Sequence, residues 1–336
     1  MNKRNIVIID SSSEEGRDFI RGLEDQTHRE WELIVEASND RRTKAKEFMR
    51  YVKYFWVPFR IFMQRNKYDT IVAWQQFYGI MFAFYCRFFH VKKINKLIVM
   101  SFIYKEKNGI IGKIYKWFIN YVVKSDYVDA FTSVASVQCE KFSREFGMPE
   151  SKFRFIPWGI TDIAPDKKYL VNKDESPYFF CAGRSNRDWR IVFDSFGSTD
   201  LPCRFIYSDT SYAGKYKNIE VLSNVPDDEY FSLSINSDVV VVSIDNCNLA
   251  GGEITIINAM QFGKPVILIQ DAPHSDYVFE GITGYVVPKD IEKITQVANK
   301  LLCDRELRNT MSQNARKYYE EYFSIFSVGK EIGKLI

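Results

Sequence analysis

Between Ala250 and Ile267 the chain reads Ala-Gly-Gly-Glu-Ile-Thr-Ile-Ile-Asn-Ala-Met-Gln-Phe-Gly-Lys-Pro-Val-Ile. Gly251 and Gly252 allow a ligand close to the backbone. A helix opening there points unpaired N–H groups at that ligand, which makes an anion site suited to a diphosphate. The same spacing also fits an ordinary loop-to-helix turn with Thr255 in its first turn, and spacing leaves the two open. Arg184 and Arg187 follow the apolar run Phe179–Ala182. Guanidinium groups at a strand end could stabilise charge growing on a departing phosphate, and arginine grips phosphate in a two-pronged fork. The plainer alternative for Arg187 is a solvated loop charge paired with Asp188. His28 and His90 stand at the ends of helical stretches and read as structural, whereas His274 lies in the loop after Val266–Ile269. No spacing of His, Cys and acids suggests a metal site, and Asp245 and Glu253 are lone acids in their region.

The elements that must position these groups alternate short β-branched runs with amphipathic stretches, the pattern of βα units and parallel sheets. Strands are predicted at Asn5–Ile9, Trp31–Glu36, Thr70–Ala73, Leu97–Ser101, Ala130–Ser133 and Phe153–Pro157, with helices between them. After Trp158–Pro177, rich in Asp, Lys and Pro, the alternation restarts at Phe179–Ala182, Arg204–Tyr207, Val239–Ile244, Val266–Ile269 and Tyr285–Val287. Val239–Ser243 is apolar on both faces, as a central parallel strand should be. Two doubly wound α/β halves of this kind bind ligands outside the carboxyl ends of their strands.

Several stretches, taken in order, resemble the retaining GT-B glycosyltransferases of family 4. Gly-Gly-Glu-Ile-Thr-Ile-Ile-Asn-Ala-Met-Gln-Phe-Gly-Lys-Pro-Val-Ile is similar to their donor-site signature. Phe179-Phe-Cys-Ala-Gly-Arg-Ser-Asn-Arg-Asp188 resembles their strand and Gly-Arg loop. Asn224-Val-Pro-Asp-Asp-Glu-Tyr-Phe resembles the stretch beside the nucleobase, and Asp276–Pro288 and Asn314–Ser324 resemble the closing segments. The resemblance covers about residues 125–325. It implies two Rossmann-like parallel-sheet domains facing a cleft, and a sugar moved from a UDP- or GDP-linked donor to a saccharide or lipid-linked acceptor in cell-surface polysaccharide synthesis. It further implies catalytic roles for Arg184, Arg187 and Glu253, and donor contacts from Gly183, Asn186, Val225, Gly251, Gly252, Ile254, Thr255 and Asn258. Asp10, Ser11, Tyr104 and His274 are candidates on the acceptor side. The sequence departs from the family's paired glutamates, spaced by seven residues, which fall here on Ala250 and Asn258. The Asp10–Gly16 loop also lacks the family's double glycine. No metal or other cofactor is expected, because the arginines and the helix N-terminus supply the positive potential.

The expected organisation is an acceptor- and membrane-facing domain over 1–160, a connection over 161–177, a donor domain over 178–322, and a final helix over 323–336 that could pack back on the first domain. Charge divides unevenly: residues 1–160 carry 27 basic against 18 acidic side chains, and residues 161–336 carry 19 against 25. Between Arg41 and Lys124 there are 18 basic side chains and three acids, interleaved with aromatics. Phe48, Tyr51, Val52, Phe55, Phe59 and Phe62 make one helical stripe, which Pro58 is expected to kink, and Ile111 to Val122 make another. Such stripes line a core or lie on anionic lipid, and the charge favours lipid. They come with no nucleic-acid-binding motif, so no nucleic-acid partner is expected. Six scattered cysteines read as reduced thiols, no apolar run reaches the ~20 residues of a membrane span, and Met-Asn-Lys-Arg leads straight into a strand without a leader-like h-region. The expected location is therefore cytoplasmic and peripheral, at the inner face of the cell membrane. Three other readings remain: a non-catalytic GT-B subunit, a GT-B nucleotide-sugar epimerase and a nucleic-acid binder.

Overall fold

The computed structural model describes residues 3–36, 44–164, 177–247, 249 and 251–336. Most of the expected connection, and Ala250, lie outside them. The chain forms two compact units, one of Met1–Pro157 with Ile325–Ile336, the other of Trp158–Ser324.

In the first unit, strands β1 (Arg4–Ile9), β2 (Trp31–Val35), β3 (Tyr68–Ala73), β4 (Lys96–Val99), β5 (Ala130–Ser133) and β6 (Phe153–Phe155) form one parallel sheet in the order β2-β1-β3-β4-β5-β6. Asn5-Ile-Val-Ile-Ile9 is buried on both faces, as a strand covered by helices requires. Helix α1 (Ser13–Thr27) starts where the Ser12 side chain accepts the Glu15 N–H, with Glu14 and Glu15 set against the positive end of the helix dipole. It ends at His28, which adopts φ 53° and closes the helix through its backbone N–H to Glu24. Helices α2 (Lys44–Met63), α3 (Gln76–Phe88) and α4 (Gly109–Val123) pack as neighbours through aromatic pairs, among them Tyr54–Phe77, Phe59–Tyr85, Phe62–Phe89 and Phe84–Phe118. The helix α2 continues through Pro58 to Met63. Helix α5 (Ser136–Phe146) leads to β6.

The last helix, α11 (Ile325–Gly333), belongs to this unit and lies on α1. Two glycines set how closely they cross. A Cβ on Gly22 would stand 2.0 Å from the Phe326 carbonyl oxygen, and one on Gly329 would stand 2.2 Å from that of Phe19. Ile325, Val328 and Ile332 are buried with Phe19, Ile20 and Leu23, each contributing about 1.5–3 kcal/mol.

In the second unit, β7 (Phe179–Ala182), β8 (Cys203–Ile206), β9 (Ile219–Leu222), β10 (Val239–Ser243), β11 (Val266–Ile269) and β12 (Gly284–Val287) form a parallel sheet in the order β12-β11-β10-β7-β8-β9. Helices α6 (Trp189–Gly197), α7 (Asp227–Asn236), α8 (Glu253–Gln261), α9 (Ile291–Cys303) and α10 (Arg305–Tyr318) complete it. The edge strand β9 is absent from the sequence reading: four residues between polar turns carry little period-2 signal. The single helix expected over Arg305–Glu321 instead ends at Tyr318 and opens into one π turn, Tyr319–Phe323. The first strand, β7, has its successors β8 and β9 on one side and β10 on the other. The connection therefore reverses between β7 and β10, the switch point where doubly wound sheets open a crevice at the carboxyl ends of the strands.

Candidate functional site

The carboxyl ends of β7 and β10 carry the two segments singled out by residue type. From β7 the chain passes through Gly183, Arg184, Ser185, Asn186 and Arg187. From β10 it passes through Asp245 and Asn246 to Gly251 and Gly252. Asn186, at φ 54°, joins the two loops: its side chain donates to the Asn246 carbonyl (3.1 Å) and accepts the Asn246 N–H (2.9 Å). Its backbone carbonyl accepts the Asp245 N–H at 3.2 Å. The side chain expected to touch a ligand is thus committed to holding the loops together, and Gly251 leaves it room, since a Cβ there would lie 2.8 Å from Asn186 Nδ2.

Arg187 lies across the site. A Cβ on Gly183 would be 2.3 Å from Arg187 Nε, so only glycine lets the guanidinium settle there. Its Nη1 donates to the Ser185 carbonyl (3.1 Å) and its Nη2 to the Thr255 hydroxyl (3.3 Å). Its Nε–H is buried without an acceptor among the described residues. Burial pulls the Arg187 guanidinium below the ordinary arginine value, with Cys181, Glu253 and Tyr230 acting in the opposite sense. Among the described residues no carboxylate pairs with it. The alternative partner, Asp188, is taken: it caps α6 through the Ile191 N–H and pairs with Lys289 at 3.1 Å. Lys289, just after β12, also lies 3.7 Å from Asp271 and 3.9 Å from Asp245, and donates to the Asp245 carbonyl. One lysine therefore balances the acids of three neighbouring loops and leaves Arg187 to itself.

Helix α8 opens opposite Arg187. Gly252, at φ 93°, makes the turn; a Cβ there would lie 3.6 Å from Arg187 Nη1. No side chain caps the helix, so the positive end of α8 and the guanidinium share one region. Glu253 turns back to accept the Gly251 N–H at 2.7 Å, which assigns its carboxylate to shaping the glycine turn. Ile254 and Arg184 are exposed, and Val225 is half-buried in the turn before α7. Asn258 is buried (8 % exposed), and its carbonyl oxygen accepts from Gln261 Nε2 at 2.6 Å. A contact inside the unit thus engages the Asn258 side chain. Tyr230 went unnoticed in the sequence. It stands edge-on to Phe180 (5.6 Å), and burial raises its hydroxyl above the ordinary tyrosine value, with Thr255, Asn258 and Arg187 acting in the opposite sense. Its only sequence signal is the fourth position of α7, which faces β7.

The remaining candidates lie on another loop of the second unit and in the first unit. His274 is exposed, and its carbonyl accepts from Gln270. Asp10 and Ser11 stand at the carboxyl end of β1 in the first unit, Asp10 buried and Ser11 hydrogen-bonded to Glu15. Tyr104 is a core residue, stacked on Tyr115 (5.7 Å) and edge-on to Phe146, with burial raising its hydroxyl above the ordinary tyrosine value. Packing accounts for its position.

The first unit also exposes a large apolar surface. Ile110, Ile111, Ile114 and Trp117 of α4 are 60–77 % exposed beside Lys107, Lys113 and Lys116, and Phe48, Met49, Phe55 and Trp56 of α2 are exposed as well. The basic flank expected on α2 is different in detail: Arg50 is buried, and Lys53 and Arg60 both pair with Glu36. Among the described residues no helix is long and apolar enough to cross a membrane, and no group of His, Cys, Asp and Glu is arranged to hold a metal.

Residues 210–318 match the family described as glycosyl transferases group 1. Over 131 residues the chain is 28% identical to a capsular polysaccharide biosynthesis glycosyltransferase, CapM, of Staphylococcus aureus. That match covers 34% of this chain and 34% of the relative, so the chain spans about a third of the curated relative it matches. Among solved structures, a glycosyltransferase from Rickettsia africae is similar with a TM-score of 0.63 at 13% identity, covering 100% of this chain and 98% of that one. HepE from Anabaena, solved in complex with UDP, is similar with a TM-score of 0.63 at 13% identity, covering 98% of each chain. At these identities the likeness shows the fold, which is GT-B.

Proposed function

We propose that this chain, whose residues 210–318 match the glycosyl transferases group 1 family, moves a sugar from a UDP- or GDP-linked donor to an acceptor in cell-surface polysaccharide synthesis. The observation that carries this reading is Arg187: partly desolvated, without a carboxylate among the described residues, and facing the uncapped N-terminus of α8 at the switch point. Leaving a buried donor unmet costs about 1–3 kcal/mol, which a phosphate oxygen seated there would offset. In this reading the diphosphate lies between Arg187, the exposed Arg184 and the amides of Gly252 to Thr255. As the sugar–phosphate bond breaks, charge grows on the leaving oxygens, and these fixed donors meet it without reorganising. The leaving phosphate can itself take the acceptor's proton, so no separate base is needed. Val225 and the turn before α7 stand on the side assigned to the base. Asn186, Lys289 and Glu253 hold the loops.

The acceptor side belongs to the first unit. The apolar face of α4 with its lysines suits an anionic lipid surface and a lipid-linked acceptor, which would place the protein at the inner face of the cell membrane. A second reading, a nucleotide-sugar-binding protein without turnover, is favoured by one observation, the engagement of Asn258 where the family carries a glutamate. Calorimetric titration with UDP and GDP, followed by assay of a panel of nucleotide-sugars, separates the two. Binding with turnover supports the transferase, binding without turnover the second reading, and neither nucleotide binding would overturn both.

A further inference from the structure

A cavity of about 610 Å³ lies in the second unit, at the other end of the sheet from the loops that carry Arg187 and Gly252. Tyr178, Asp238 and Pro265, the residues just before β7, β10 and β11, line it, so it sits at the amino ends of the strands. Its volume falls within the range of about 300–1,000 Å³ that small-molecule sites occupy. Two helices form its walls. Glu229, Ser232, Leu233 and Asn236 come from α7, and Arg305, Arg308, Asn309 and Ser312 from α10. Each set is spaced i, i+3, i+4, i+7, which is one face of a helix. The core residues of these helices, Ile235 on α7 and Met311 and Ala315 on α10, fall outside those faces. All the facing side chains but Leu233 are polar, yet Ser232, Asn236, Arg308 and Ser312 are half-buried. Two faces of this kind are not built to pack on each other.

The lining carries more cations than acids: Arg204, Lys264, Arg305 and Arg308 against Glu229 and Asp238. Arg204 pairs with Glu220 at 3.1 Å. Arg308 donates through Nη1 to the Leu301 and Leu302 carbonyls, and its Nε lies 3.8 Å from Asp238, so its Nη2 stays outside these contacts. Arg305 differs from both. It is exposed, makes no ion pair among the described residues, and stands one turn from the like charge of Arg308. It also takes the first position of α10, where the helix dipole favours acids. Lys264, only 8 % exposed, adds a further cation against the strand ends. Gly263, Lys264 and Pro265 belong to the stretch that resembles a donor-site signature, yet they line this cavity and not the donor loops. We propose that the cavity is a small-molecule site distinct from the donor site, for a hydroxylated oxyanion of the sugar-phosphate or sugar-acid class. Arg305 and the Nη2 of Arg308 meet the anionic group, Lys264 adds to the positive potential, and Ser232 and Asn309 hydrogen-bond the hydroxyls.

This site stands or falls independently of the donor-site reading. Glucose 6-phosphate, glucuronate, glucose and inorganic phosphate are titrated by calorimetry into the full chain and into Arg305→Ala, Ser232→Leu and Arg187→Ala, with thermal melting alongside. One of the two charged sugars should bind, and which of them binds tells phosphate from carboxylate. Glucose and inorganic phosphate should each bind at least about 10-fold more weakly, since each lacks half of the recognised groups. Arg305→Ala, at an exposed position, should weaken the charged sugar about 10-fold, the size of one charged hydrogen bond, at an unchanged melting temperature of the free protein. Ser232→Leu removes a hydroxyl from the opposite wall and should also weaken it. Arg187→Ala should leave the affinity as it is. Binding of neither charged sugar, or binding indifferent to Arg305→Ala, would overturn the site. Binding lost in Arg187→Ala but kept in Arg305→Ala would place the probe in the donor loops and overturn it equally. Inorganic phosphate bound as tightly as the better charged sugar would overturn the ligand class.

Discussion

A guanidinium that loses hydration without gaining a carboxylate destabilises the protein that carries it, unless an anion completes the arrangement. Arg187 is in that state, and Lys289 explains how it stays so, by drawing off Asp188, Asp245 and Asp271. Arg187→Ala should therefore lower turnover of the preferred donor by about 10²-fold, the size of losing one transition-state donor, without lowering the melting temperature. Near-parental turnover would remove Arg187 from the site. Residue types in the sequence already pointed to Arg187, Thr255 and the glycine pair, because anion binding has few chemical solutions and glycine with arginine marks them. The local duties of Asn186, Glu253 and Asn258 were not legible. A polar side chain reads the same whether it faces a ligand or a neighbouring loop, and only the fold shows that Asn186 meets Asn246 sixty residues on. Tyr230 was hidden for the same reason: the ring it meets, Phe180, lies fifty residues earlier on β7.

At the scale of elements, the crossing of α1 and α11 depends on two absent side chains. Gly329→Ala would drive a Cβ into the Phe19 carbonyl, 2.2 Å away. Overpacking against backbone should cost about 3 kcal/mol and lower the melting temperature by roughly 5–10 °C. A melting temperature within a degree of the parent would show that the helices can part cheaply. Strand positions were largely readable, since buried parallel strands such as Val239–Ser243 leave continuous apolar runs. β9 was not, being short and at an edge. The helical stripes were also legible, but which side faces outward was not. On α2, Lys53 and Arg60 turn to Glu36 and Arg50 turns inward, while α4 leaves Ile111 and Trp117 bare beside Lys113. Ile111→Glu with Trp117→Glu should release the protein from anionic phospholipid vesicles in a flotation assay without changing UDP or GDP affinity. A variant that floats as well as the parent would mean that this face serves something other than lipid.

At the scale of the whole molecule, each unit is a six-stranded parallel sheet with one switch point, and the second unit carries the group 1 match. The surplus of basic charge falls in residues 1–160 and the surplus of acidic charge in 161–336, which suits a division between an anionic surface and a donor site built from a few placed cations. In the proposed donor site, arginine and a helix terminus supply the positive potential, so turnover should persist in EDTA. The resemblance to retaining enzymes leads to the expectation that the sugar keeps its anomeric configuration. One measurement brings these together: incubation of the protein with a panel of UDP- and GDP-sugars in EDTA, following nucleoside diphosphate release and reading the released sugar by NMR before it mutarotates. The account predicts release from one donor with the anomeric configuration retained. Release of the inverted anomer, or no release from any donor by protein that is folded and binds the nucleotide, would contradict it.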